Sequence, residues 1–238
     1  ADVFANYGSL LPLDLQGWNS GHQASRDIIT KNYPAVVIDV GVWKGGSALF
    51  LAGLLREAGT NGTVIAIDTF LGSPEHWDRG GRDGNLMPCK NGRPLLYEQF
   101  LTNVVRTGMQ DFIVPLPQSS EHAVIILSRL GIRAGLVHAH ILPINAPSAR
   151  HVVDMASADD GKCASLRLSS FFDAAHEYEP VMRDVRAYWE LLEPGGYLVG
   201  DDYVAVWPDV IRVAHEFAQS VNQPLTVAEP KWILQKPQ

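Results

Sequence analysis

The chain has 238 residues, enough for one domain with a sizeable core, and 46% apolar with 19% charged residues excludes wholesale disorder. A formal charge of -7 without a basic stripe argues against a nucleic-acid partner and against an anionic membrane surface. No apolar run reaches the length of a membrane span, and Ala1 to Leu13 lacks the basic region and apolar core of a secretory signal. A cytoplasmic protein is therefore expected, with Cys89 and Cys163 as free thiols in polar stretches rather than as a disulfide.

Short apolar runs alternate with longer amphipathic ones, without repeats or heptads, which predicts an α/β doubly wound sheet in a single domain over 1–238. Ala35 to Asp39 is a continuous apolar run, as a strand buried on both faces requires, and it ends in an acid and Gly41. Ser47 to Ala58 is a helix and Thr63 to Asp68 the second strand. Leu71 to Pro94, rich in Gly, Asp, Asn and Arg, has no apolar period and reads as a long loop over a ligand. Leu95 to Thr107 is a helix, Phe112 to Leu116 the third strand, and Ser120 to Leu130 a helix capped by Ser119 or Ser120.

Two segments compete for the fourth strand, Leu136 to Leu142 and Leu166 to Phe172. The second carries Arg167 and two serines, whereas the histidines of the first can be neutral, so Leu136 to Ile141 is preferred. Residues 143–172 then form an insertion that leaves the carboxyl end of the sheet and returns at Asp173, either as a lid or as a foreign segment that disrupts the site. Glu179 to Leu192 is a helix, stopped by Pro194, Gly195 and Gly196, and Tyr197 to Gly200 is the fifth strand. Asp209 to Ser220 is the last helix, and Leu225 to Ala228 with Lys231 to Gln235 form a closing antiparallel hairpin.

Three places carry chemistry. The first is the turn from Asp39 through Gly41, Gly45 and Gly46 to Ser47, between a strand and a helix. It lacks the tight glycine triplet that seats a pyrophosphate, and suits a ligand with no phosphate and a charged amino-acid tail; an ordinary βα turn is the alternative. The second is Asp68, which ends the second strand and can accept both ribose hydroxyls of a nucleoside, or merely cap a helix. The third joins Asp173 and His176, before a helix, to Asp201 and Asp202, after the fifth strand. Carboxylates gathered at neighbouring strand ends repel unless a cation sits among them, and oxygen-only ligands favour Mg²⁺. These acids could instead cap helices or pair with Arg183 and Arg212. His138 and His140, in an apolar stretch, read first as core histidines, and Trp43 as packing on the sheet.

At these residues the chain resembles the class I S-adenosylmethionine-dependent methyltransferases, within them the branch of the macrocin O-methyltransferase and cephalosporin-hydroxylase-associated enzymes. The resemblance runs from about Val36 to Phe217 with one interruption. Its most specific part is the run Asp173, His176, Glu177, Tyr178, then Asp184, then Leu192 to Tyr197, then Asp201, Asp202 and Tyr203. It implies a Rossmann-like, mostly parallel sheet, S-adenosylmethionine held by Asp39, Gly41, Gly45, Ser47, Asp68 and Ser119, and Mg²⁺ held by Asp173, Asp201 and Asp202. His176 stands where the similar catechol O-methyltransferases have a lysine base, so here a histidine would take the acceptor's proton. The implied activity is O-methylation of a small hydroxylated acceptor, assisted by Mg²⁺, with a homo-oligomer left open. The alternatives are a metal-independent methyltransferase and an inactive binding module.

Overall fold

The computed structural model describes residues 3–5, 11–17, 20–73, 76, 88–140 and 178–238. In chain order its elements are α1 (Gln23–Asn32), β1 (Val36–Val40), α2 (Gly46–Glu57), β2 (Thr63–Asp68), α3 (Leu96–Arg106) and β3 (Ile113–Pro117). There follow α4 (Ser120–Arg129), β4 (Ala134–Ala139), α5 (Tyr178–Leu191), β5 (Leu192–Gly200), α6 (Pro208–Ser220), β6 (Thr226–Ala228) and β7 (Lys231–Gln235). The strands form one sheet in the order β3-β2-β1-β4-β5-β7-β6, with the first five parallel, β7 antiparallel to β5 and β6 antiparallel to β7. This is the expected Rossmann-like architecture with its closing hairpin.

Helices cover both faces of the sheet. Val37 on β1 joins one apolar layer with Ile28, Leu51, Leu55, Phe100 and Val104, while Ile38 joins the other with Leu127, Val185, Tyr188 and Phe217. Successive β1 side chains thus enter opposite cores, which is why the strand reads as an unbroken apolar run.

Ala134–Ala139 is the central fourth strand, in register with Val37 through Leu136 on one side and with Gly200 through Ala139 on the other. The preferred segment was therefore the right one, shifted by two residues. The rival segment Leu166 to Phe172 and the insertion 143–172 lie outside the described residues.

Three features differ from the sequence reading. Helix α1 was not anticipated: its first-turn cap is His22, whose Nδ1 accepts the Ala24 N–H at 3.1 Å, and histidine is not among the usual capping residues. Strand β5 begins at Leu192, before Pro194, Gly195 and Gly196. These residues end α5 and also make the irregularity where the register against β4 shifts. Cys89 opens a short ladder of Cys89–Lys90 with Arg93–Pro94, and it is disulfide-bonded, against the expectation of a free thiol. Sequence separation carries no information about which thiols a folded loop brings together. Among the described residues no helix is long and apolar enough to cross a membrane.

Candidate active site

The carboxyl ends of β1, β2, β4 and β5 lie side by side, so the residues just beyond them share one rim of the sheet. At the end of β1, Gly41 turns the chain with φ 78°, and a Cβ there would lie 2.4 Å from the His140 carbonyl oxygen. Only glycine allows that approach. Gly45, φ 94°, then starts α2. Between them Trp43, itself at φ 52°, donates its backbone N–H to Asp68 Oδ2 at 2.8 Å. Phe70 donates its N–H to the other oxygen at 2.7 Å. Asp68 is thus tied to the turn of the neighbouring strand. Burial pushes its carboxyl group up, more than these amides pull it down. Each oxygen keeps further lone-pair capacity for a hydroxyl donor.

Asp39 and Ser47 face each other beneath the turn, the Ser47 hydroxyl donating to Asp39 Oδ2 at 2.7 Å, and both are buried. The turn is braced from outside as well. Buried Asn103 donates its amide to the carbonyls of Lys44 and Asp14, and the Lys44 ammonium reaches Asp14 Oδ2 at 2.7 Å. The Trp43 ring stacks on His76 with centroids 4.2 Å apart. Ser119 caps α4, accepting the His122 N–H at 3.3 Å, beyond the end of β3.

A second group of side chains fills the ends of β4 and β5. His138 Nδ1 lies 2.7 Å from Asp39 Oδ1, and its Nε2 lies 3.1 Å from Lys231 Nζ. An ammonium can only donate, so Nε2 accepts and Nδ1 carries the proton that Asp39 receives. Burial and the Lys231 charge keep this imidazole's affinity for a second proton low. Lys231 donates to Asp201 Oδ2 at 2.6 Å, and His140 Nδ1 meets the same oxygen at 2.8 Å. The remaining oxygen, Oδ1, accepts the Asp202 N–H at 2.8 Å. Burial would raise the Asp201 carboxyl, but His140 and Lys231 together outweigh it and hold the group well below the ordinary carboxylate range.

Of the expected magnesium centre, only part falls on the described residues. Asp201 and Asp202 are adjacent at the end of β5 as expected, Asp202 at φ 60°, while Asp173 and His176 lie outside the described residues. Both oxygens of Asp201 are engaged, and its cationic partner is a lysine. Beside the Asp202 carboxylate, the groups around it are two imidazoles and an ammonium. The cluster of His138, His140 and Asp201 does not suit Mg²⁺, which takes oxygen donors.

The sequence reading left His138 and His140 as core histidines and passed over Lys231. His138 is indeed a satisfied core group. His140 could have been singled out by its place just past a predicted strand, where ligands gather in open α/β sheets. Lys231 offers no local signal, since its partners lie 30 and 93 positions away.

A family described as a methyltransferase domain matches residues 38–203. No curated protein matches the chain. Among solved structures, the O-methyltransferase from Bacillus cereus in complex with SAH aligns with a TM-score of 0.54 at 9% identity, over 96% of this chain and 84% of that one. The O-methyltransferase TomG from Streptomyces achromogenes, involved in tomaymycin synthesis and in complex with SAM, aligns with a TM-score of 0.53 at 12% identity, over 96% and 83%. CalS11, a calicheamicin methyltransferase, gives 0.55 at 15% identity, over 90% and 76%. At these identities the likeness is one of fold.

Proposed function

The chain belongs to the methyltransferase-domain family, and from that premise we propose that it uses S-adenosylmethionine to methylate a hydroxyl group of a small acceptor. The observation that carries this reading is the link between Asp68 and the glycine turn, made by the Trp43 amide. It puts a hydroxyl-accepting acid beside a backbone turn that a ligand can approach closely. S-adenosylmethionine, when bound, supplies an electrophilic methyl group on its sulfonium.

The chain's own residues would bind and orient. Asp68 accepts the ribose hydroxyls, and the Gly41 to Gly45 turn lies under the methionine tail. Asp39 and Ser47 hold that turn from beneath, and Ser119 borders the same rim. Positioning two reactants in line is the main source of acceleration in such a transfer. His176 is the proposed proton acceptor, on the strength of the family resemblance. Of the two metal readings, the donors around Asp201 support the metal-independent one. The acidic surface, formal charge -7, favours a small acceptor over a nucleic acid.

Calorimetric titration with S-adenosylmethionine tests the first half, and release of S-adenosylhomocysteine in the presence of sugar and catechol-like acceptors tests the second. Saturable binding with acceptor-dependent turnover is expected. Absence of binding overturns the cofactor assignment. Binding without turnover on any acceptor favours the inactive module.

A further inference from the structure

The cluster at the ends of β4 and β5 would look, without its lysine, like a metal site. His138, His140 and Asp201 each offer one ligand atom, and these atoms all lie within 4.8 Å of one another. Two imidazoles and a carboxylate suit Zn²⁺, Co²⁺ or Fe²⁺. Lys231 Nζ, however, already bridges two of the three donors, at 3.1 Å from His138 Nε2 and 2.6 Å from Asp201 Oδ2. We propose that the Lys231 ammonium is the resident cation of this site, standing in the place of a divalent metal and making methyl transfer metal-independent.

Four observations support it. First, among the described residues the lysine's charge partner of opposite sign is Asp201, and each of the two side chains is 1% exposed, so the ammonium is part of the interior rather than a surface charge that reaches in. Second, its backbone is fixed. Lys231 begins β7, whose next residue, Trp232, is in register with Gly200, so Lys231 lies opposite Asp201. A Cβ on Gly200 would meet the Trp232 ring at 2.1 Å, which shows how tightly the two strands' ends are fitted. Third, the hydrogen bonds are continuous. Ser47, Asp39, His138, Lys231, Asp201 and His140 form one chain of contacts of 2.6–3.1 Å, running from beneath the cofactor turn to the end of β5. Within it the lysine supplies the positive charge that the two carboxylates need. Fourth, a divalent ion bonded to the same imidazole and carboxylate would sit next to that ammonium. Like charges a few ångströms apart repel strongly at the effective dielectric of a protein, and a divalent ion more than a monovalent one.

The inference concerns the same site as the proposed methyl transfer, and it rests on that reading only for its consequence in turnover. The first experiment needs neither cofactor nor acceptor. Co²⁺ is titrated into the full chain and its visible absorption bands are followed, for the wild type, for Lys231→Met, which keeps the side chain's length without its charge, and for Lys231→Ala. The wild type is expected to show no bound Co²⁺ spectrum. Either lysine variant is expected to bind Co²⁺ at least about tenfold more tightly, with a spectrum that disappears when His140→Ala is added. A wild-type Co²⁺ spectrum that is lost in His140→Ala overturns the proposal, and so does a folded Lys231→Met that binds Co²⁺ no better than the wild type. Should both lysine variants fail to fold, the wild-type titration still decides. The second arm measures turnover of the wild type in EDTA and in Mg²⁺. Equal rates are expected, and activity lost in EDTA and restored by Mg²⁺ overturns the proposal. A chain that binds no S-adenosylmethionine would refute the methyltransferase reading while leaving the cobalt result intact.

Discussion

The Lys231 ammonium lies 2.6 Å from Asp201 Oδ2, with 1% of either side chain exposed. Breaking such a pair from one side leaves a buried charge, which typically costs about 3–5 kcal/mol, whereas replacing both partners by apolar groups is often close to neutral. Asp201→Ala is therefore expected to lower the unfolding free energy by about 3–5 kcal/mol. Adding Lys231→Met should recover part of that loss. Denaturant unfolding of the two single variants and the double variant closes the cycle, and strictly additive effects would show that the two groups are not coupled.

Gly200 is required by its neighbour rather than by its backbone angle. A methyl group there would overlap the Trp232 ring, whose nearest atom is 2.1 Å away, and Trp232 is fully buried. Gly200→Ala should destabilise the fold by about 1–3 kcal/mol or more, the usual cost of overpacking. A variant with wild-type thermal stability would show that β5 and β7 can separate freely.

Asp184 on α5 is buried and accepts the Ser120 hydroxyl at 2.7 Å. Burial raises its carboxyl group, more than Ser120 and Arg183 lower it. A group bound more tightly to its proton in the folded state contributes stability that is present below the unfolded value, about 3.9, and is lost as pH rises through the higher folded value. The wild type should thus lose stability from about pH 4 upward through this group. Asp184→Asn, which can still accept from Ser120, should remove that slope. Unfolding free energies measured from pH 4 to 7 would be expected to converge at the acid end and diverge in favour of the variant above it. Parallel curves would contradict the assignment.

Asp68→Ala is expected to weaken S-adenosylmethionine binding by more than about 1 kcal/mol, the scale of a charge-assisted hydrogen bond. Because the variant also removes the acceptor of the Trp43 and Phe70 amides, Asp68→Asn provides the milder comparison, since it keeps one of the two acceptor oxygens. Unchanged affinity in both variants would remove Asp68 from the cofactor site.

His176→Ala should slow turnover by about a hundredfold, within the range for losing a general base, while cofactor affinity stays the same. A rate near that of the wild type would mean that another group accepts the acceptor's proton.

Strands β1 to β5, helices α2 to α6 and the closing hairpin were legible from the sequence because each carries a local period or run that its burial imposes. Val37 and Ile38 are apolar since helices cover both faces of β1, and Ser119 announces α4 through its capping hydroxyl. The glycine turn and Asp68 were legible for the same reason, since a tight turn and an acid at a strand end are properties of neighbouring residues. What only the tertiary structure decided is the company each charge keeps. Asp201 reads as a metal ligand while its neighbours are known only along the chain. The antiparallel return of β7, however, sets Lys231 against it across 30 positions, and β4 brings His138 and His140 to the same place. A carboxylate requires a cation but does not specify which one. That choice belongs to the sheet, because only the strand order places an ammonium within 2.6 Å of the oxygen.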